Sequence, residues 1–144
     1  MELHMTDAVT VVRGFLDDVR SGRAPDHANR YMAASVRAHQ IESEGETTVL
    51  RTPADYAAHV REFLDAFGAF TLEVTECFGA GDKVYARWRQ TGRHLASLNG
   101  ETPTGAPLIS IASCVYRVED GRIAEYWIQV ERKGMELQLE RLAA

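Results

Sequence analysis

Cysteine is scarce in this chain. Cys77 and Cys114 are the only two among 144 residues, and neither belongs to a CxxC spacing, so neither a zinc ribbon nor a disulfide framework is indicated and a reducing, cytoplasmic setting is expected. Long apolar runs are missing too. No stretch approaches the roughly 18 residues that a spanning helix needs, and the opening MELHMTDAV has no apolar core of a secretion signal, so neither a membrane span nor an export signal is expected. Clustered positive charge is absent: 16 Lys and Arg face 21 Asp and Glu, a net charge of -5. The tightest basic group, Arg87 and Arg89 with Arg93, reads as a solvated strand face, and nucleic acid is not an expected partner. No glycine-rich loop links a strand to a helix, and histidines and carboxylates do not recur at ligand spacing, so no nucleotide cofactor and no metal are expected.

What is present suits a folded domain. A hydrophobic fraction of 45% and a charged fraction of 26% are ordinary for globular chains, and the length allows one core, so residues 1–144 form a single domain. Thr6 can cap a helix whose Val9, Val12, Phe15, Leu16 and Val19 recur at offsets of three and four until Ser21-Gly22. A short second helix fits 25–32, with Tyr31 and Met32 inward, before Ser35 to His39 begin to look extended. Thr52-Pro53-Ala54-Asp55 is a strong start for a third, with Tyr56, Val60, Phe63, Leu64 and Phe67 as its inner stripe and Gly68 as its stop. The period then changes to two. Strands are predicted over 70–78, 83–93, 108–118 and 122–131, with turns at Gly79 to Asp82 and Glu119 to Gly121 and a longer connection from Asn99 to Pro107. Met135, Leu139 and Leu142 suggest a closing helix. Helices first and four antiparallel strands afterwards is an α+β order.

Alternation sorts the faces. In 83–93, Tyr85, Arg87 and Arg89 oppose Ala86, Trp88 and Gln90, and the second set is taken as inner. In the last strand Ala124, Tyr126, Ile128 and Val130 are taken as inner, which leaves Trp127 outside, covered either by a second subunit or by the closing helix. In 108–118 either Ile109, Ile111, Ser113 and Val115 or Ser110, Ala112, Cys114 and Tyr116 could face inward; the smaller, mixed set suits a ligand cavity.

Several stretches, in order along the chain, resemble the SnoaL-like polyketide cyclases: Tyr31-Met32-Ala33 with Ala38-His39, Gly81-Asp82-Lys83-Val84 with Ala86-Arg87-Trp88, and Gly92-Arg93-His94. The Pro103-Thr104-Gly105-Ala106-Pro107 loop, Tyr116 to Ile123, and Gly134 with Gln138-Leu139 complete the set. The resemblance implies the cone-shaped α+β fold shared with ketosteroid isomerase, scytalone dehydratase and limonene epoxide hydrolase. In it, N-terminal helices pack on a strongly curved antiparallel or mixed sheet around one internal pocket. It also implies a homodimer and a polyketide-derived or polycyclic apolar substrate. The cyclases it resembles place an acid/base aspartate just after the Trp127 position and a histidine at the Cys114 position; here Ile128 and Cys114 stand there. The hydrolases' Arg-x-Asp pair matches Trp88 and Gln90, so neither proton-transfer scheme carries over unchanged.

The candidates that remain are His39 as a general base near the pocket rim or a loop-bracing imidazole, and Tyr126 as a donor to a developing oxyanion or a core tyrosine. Gln90 could hold a ligand carbonyl against Trp88. Ala112, Cys114, Ile128 and Phe63 are expected to line the cavity, with Cys114 an inert apolar thiol. His59 and His94 carry less signal, on the polar side of the third helix and in a turn, and Glu42, Glu44 and Glu46 read as a solvated acidic stretch, of which one could hang over the pocket mouth. Three functions compete: a cofactor-independent cyclase, isomerase, dehydratase or ring-opening enzyme of secondary metabolism; a protein that binds or sequesters an apolar metabolite; and a partner-binding dimer with a vestigial pocket.

Overall fold

Asp7 ends its extended backbone by accepting the Thr10 N–H at 2.8 Å, and the first helix, α1 (Ala8–Phe15), starts there. The computed structural model describes residues 7–144, so Thr6, the expected cap, lies outside the described residues. Helix α1 widens into a π turn over Leu16–Arg20, in which the Ser21 N–H reaches the Leu16 carbonyl at 2.9 Å. Val11, Val12, Phe15, Leu16, Val19 and Arg20 are all buried on this segment. The expected second helix is a 3-10 segment (Pro25–Arg30), shorter than 25–32 because Met32 already belongs to a strand.

That strand, β1 (Met32–Gln40), pairs with β2 (Thr47–Arg51), so the sheet has six strands rather than the four expected. Helix α2 (Pro53–Phe67) follows with the anticipated start: Thr52 and Asp55 form a reciprocal capping box, worth about 1 kcal/mol, and Gly68 ends the helix at φ 74°. Strands β3 (Thr71–Ala80), β4 (Lys83–Arg93), β5 (Pro107–Glu119) and β6 (Arg122–Val130) then run as a meander, and α3 (Arg132–Ala143) closes the chain. Asp120 and Gly121, at φ 52° and 75°, supply the left-handed pair that a tight Asp-Gly hairpin needs.

The order is β2-β1-β6-β5-β4-β3, antiparallel throughout except for β1 against β6, which is parallel. The sheet is mixed and curved without closing into a barrel, and α1 and α2 lie in its concavity. One face of the sheet meets them: Trp88, Ala86 and Gln90 from β4, Ala112, Cys114 and Tyr116 from β5, and Tyr126 from β6 are buried. This settles the open choice in β5 in favour of the smaller, mixed set. Full burial of a side chain the size of Trp88 contributes about 2–3 kcal/mol. Gly92 marks a close approach, since a Cβ there would lie 2.7 Å from the Phe67 Cβ and 2.9 Å from its carbonyl oxygen. Among the described residues no helix is long and apolar enough to cross a membrane.

Candidate functional site

The concavity encloses a cavity of about 740 Å3, the size of small-molecule sites. Its sheet wall is Trp88, Gln90, Ser110, Ala112, Cys114, Tyr126 and Ile128, each placed by the two-residue alternation of its strand. Tyr56, His59, Phe63 and Phe67 of α2 form the opposite wall, and Met135 and Leu139 of α3 stand at the mouth. A shallower depression of about 370 Å3 lies outside, between β2 and α2.

Of the residues expected at the site, Tyr126, Gln90, Trp88, Cys114, Ile128, Ala112 and Phe63 all border this cavity. His39 does not. On β1 the neighbours Ala38 and Gln40 pair with Tyr126 and Ile128 and so face inward, which turns His39 to the outer face beside Trp127. Its ring stacks on Trp127 with centroids 5.2 Å apart and planes at 15°. Its Nε2 lies 2.6 Å from Glu125 and its Nδ1 2.7 Å from the Thr48 hydroxyl. Of the two readings of His39, a general base near the pocket rim or a bracing imidazole, the first is corrected, since the side chain does not border the cavity; it joins β1, β2 and β6 on the outer face of the sheet. It also covers Trp127, which the closing helix does not, because α3 packs at the cavity side.

His59 departs from expectation in the other direction. It borders the cavity, its ring 4.4 Å from that of Phe63, and burial followed by the charge of Arg51 holds its imidazole below the usual histidine range. At neutral pH it is an unprotonated base. His94 is fully buried and braces the 94–106 connection: its Nδ1 accepts the Thr104 N–H at 3.2 Å. Glu42 and Glu44 are not free in solvent, since both approach Arg132 at the start of α3, Glu44 through two contacts of 2.8 and 3.0 Å. They tie α3 to the β1–β2 connection across the cavity mouth.

Three tyrosines meet at the inner end. Tyr56 and Tyr116 lie 6.3 and 5.9 Å from Tyr126 by ring centroids, and burial pushes all three hydroxyls upward, Tyr126 to about 12. They stay protonated at neutral pH and are donors, not charges. Burial likewise pushes the Cys114 thiol far above its ordinary value, which leaves it inert.

The residue that sequence reasoning passed over is Arg20. The π turn delivers it to the cavity among the tyrosines, where its guanidinium carbon sits 4.4 Å from the Phe63 ring centre, 5.5 Å from that of Trp88 and 5.6 Å from that of Phe70. It is 8% exposed, and its Nη1 has no hydrogen-bond partner among the described residues. The signal was available: Arg20 follows Val12, Leu16 and Val19 at core spacing, and an arginine on an apolar stripe is a buried charge to be explained.

A family model for the SnoaL-like polyketide cyclase matches residues 10–139. The chain belongs to the SnoaL-like polyketide cyclase family. No curated protein matches it. Solved structures of the same shape include a proposed polyketide cyclase from Acidithiobacillus ferrooxidans, 20% identical with a TM-score of 0.80, over 96% of this chain and 99% of that one. IdmH, a proposed polyketide cyclase from Streptomyces antibioticus, is 24% identical over 90% and 96% of the two chains, with a TM-score of 0.74. An epoxide hydrolase of M. tuberculosis, similar to limonene epoxide hydrolase, is 18% identical over 94% and 91%, with a TM-score of 0.66. At these identities the likeness establishes the fold. In this SnoaL-like chain Ile128 and Cys114 both stand on the cavity wall.

Proposed function

We propose that the protein is a cofactor-independent enzyme of secondary metabolism that acts on a polyketide-derived or polycyclic apolar intermediate. It polarises a carbonyl so that an enolate or related oxyanion forms in a cyclisation, isomerisation, dehydration or ring opening. The observation that carries this reading is the pairing, in one apolar cavity, of protonated donors at the inner end with an unprotonated imidazole on the facing wall. Tyr126 donates to the developing oxyanion, Gln90 fixes the reacting carbonyl against Trp88, and His59 takes the proton. A cytoplasmic homodimer belongs to the same reading. It is supported by apolar side chains left partly exposed on the otherwise mixed outer sheet face, Ile111 at 39% and the partly covered Trp127.

Sequestration of an apolar metabolite is favoured by one observation, the absence of a carboxylate from the buried lining among the described residues. Deuterium exchange at the carbon beside the carbonyl of 2-tetralone, followed by proton NMR, separates the readings. The enzyme accelerates exchange over buffer and Tyr126→Phe lowers the rate about 100-fold with little change in ketone affinity, as loss of an oxyanion donor does. Binding without any acceleration favours sequestration, and acceleration untouched by Tyr126→Phe removes Tyr126 as the donor.

A further inference from the structure

A guanidinium 8% exposed, with its Nη1 unpartnered and no carboxylate bonded to it among the described residues, is a costly thing for a fold to retain. The titratable groups that act on it most are Tyr56, Tyr116, Tyr126 and Cys114, all neutral because burial raises them, and His59 on the facing wall, which burial lowers, also feels its charge. The ring centres of Phe63, Trp88 and Phe70 lie within 4.4 to 5.6 Å of its central carbon. Aromatic contacts of that kind supply no hydrogen-bond acceptor, and the Nη1 has no partner among the described residues, so its N–H group is left to be completed by an acceptor from outside the fold. Two further facts point to the same place. The Gln90 Oε1, also at the cavity wall, is buried without a partner among the described residues, and the segment that presents Arg20 is a π turn, a widening of the helix that is often found where a side chain is placed for a purpose.

We infer that the inner end of the cavity is an anion-binding subsite, in which the Arg20 N–H edge receives an ionised oxygen group, a carboxylate or an ionised phenol, carried by an aromatic or polycyclic ligand. The fork of the guanidinium matches a delocalised oxyanion in two parallel hydrogen bonds, and the apolar walls of Trp88, Phe63 and Ile128 take the ring system that bears it. The buried Gln90 side chain receives a hydroxyl or amide hydrogen adjacent to that group. This subsite names the substrate class of the enzyme reading and rests on it only in sharing the same cavity. Binding of an anion at Arg20 needs no turnover.

The test compares 2-naphthoate with the equal-sized, neutral 2-naphthamide by isothermal titration calorimetry on the intact protein. The naphthoate is expected to bind at least tenfold more tightly, as a charge-assisted pair in a desolvated site should. Arg20→Met is expected to abolish that preference while the naphthamide affinity moves less than threefold, and Arg20→Lys, which keeps the charge but loses the fork, is expected to retain part of it. Equal affinity for the two probes, or binding of neither at millimolar concentration, overturns the subsite. So does a preference that survives in Arg20→Met. Should Arg20→Met not fold, the comparison on the unaltered protein still decides. Failure of the subsite leaves the 2-tetralone exchange result standing, and failure of exchange leaves the naphthoate preference standing.

Discussion

Replacing Arg20 by methionine should make the protein more stable. The unaltered side chain places a full charge where solvent barely reaches and no carboxylate compensates it, a placement that costs several kcal/mol even after relaxation. Against this stand three aromatic contacts between 4.4 and 5.6 Å, together worth about 2 kcal/mol. Methionine fills nearly the same length of channel, and its sulfur keeps favourable contacts with the rings. The expected balance is a gain of about 1–2 kcal/mol, or a rise in melting temperature of about 3–8 °C for a chain of this size. Urea denaturation followed by far-ultraviolet circular dichroism measures it, the midpoint moving up with the slope unchanged. A loss of more than about 1 kcal/mol would refute the reasoning, because it would make Arg20 a structural keystone held by its aromatic neighbours rather than a strained group kept for a ligand.

Other outcomes follow from groups away from the cavity. The hydrogen bond from His27, at 2.8 Å, holds the Asp18 carboxyl below the usual carboxylate range against the opposing effect of burial, and the Tyr31 hydroxyl adds a second bond at 2.9 Å. A depressed acid stabilises the fold above its unfolded value of about 3.9 and loses that contribution as pH falls through the lower folded value. Asp18→Asn should therefore cost about 1 kcal/mol at pH 7, a modest figure because both partners are partly solvated, and the gap to the unaltered protein should persist at pH 5 and close between about pH 4 and pH 2. A gap that widens on acidification would contradict this assignment. On the outer sheet face, Ile111→Asp should convert a dimer to a monomer in light-scattering chromatography, and an unchanged mass would remove that face as the interface.

Much of the fold was readable because the local signals were strong. The Thr52-Pro53 start, the Gly68 stop and the strand over 83–93 stand where the sequence puts them, since each is set by capping chemistry or by uninterrupted alternation. The β1–β2 pair was not readable. Thr47–Arg51 is exposed along most of its length, so no buried face imprints a period on it, and β1 is irregular where its register with β6 shifts. That one omission misplaced His39: once residues 32–40 are a strand, its neighbours determine its side. Trp88, Gln90, Tyr126 and Ile128 were legible as cavity residues for the same reason that His39 was not. Arg20 escaped because a charged residue at the end of an apolar stripe is conventionally read as the point where the stripe stops.

The parallel contact between β1 and β6 has a consequence for how the protein is made. Every other strand pair joins neighbours in sequence, but Met32 must wait for Ile123 before β1 has a place in the main sheet. Closing so long a loop is entropically slow compared with forming the meander from β3 to β6. The expected order of folding is that the meander forms first and that β1, although made earlier, joins it afterwards, carrying α1, the π turn and α2 over its concave side. On that order the cavity is completed late, and the expected cost of taking the Arg20 charge out of water falls there too, after the meander has formed.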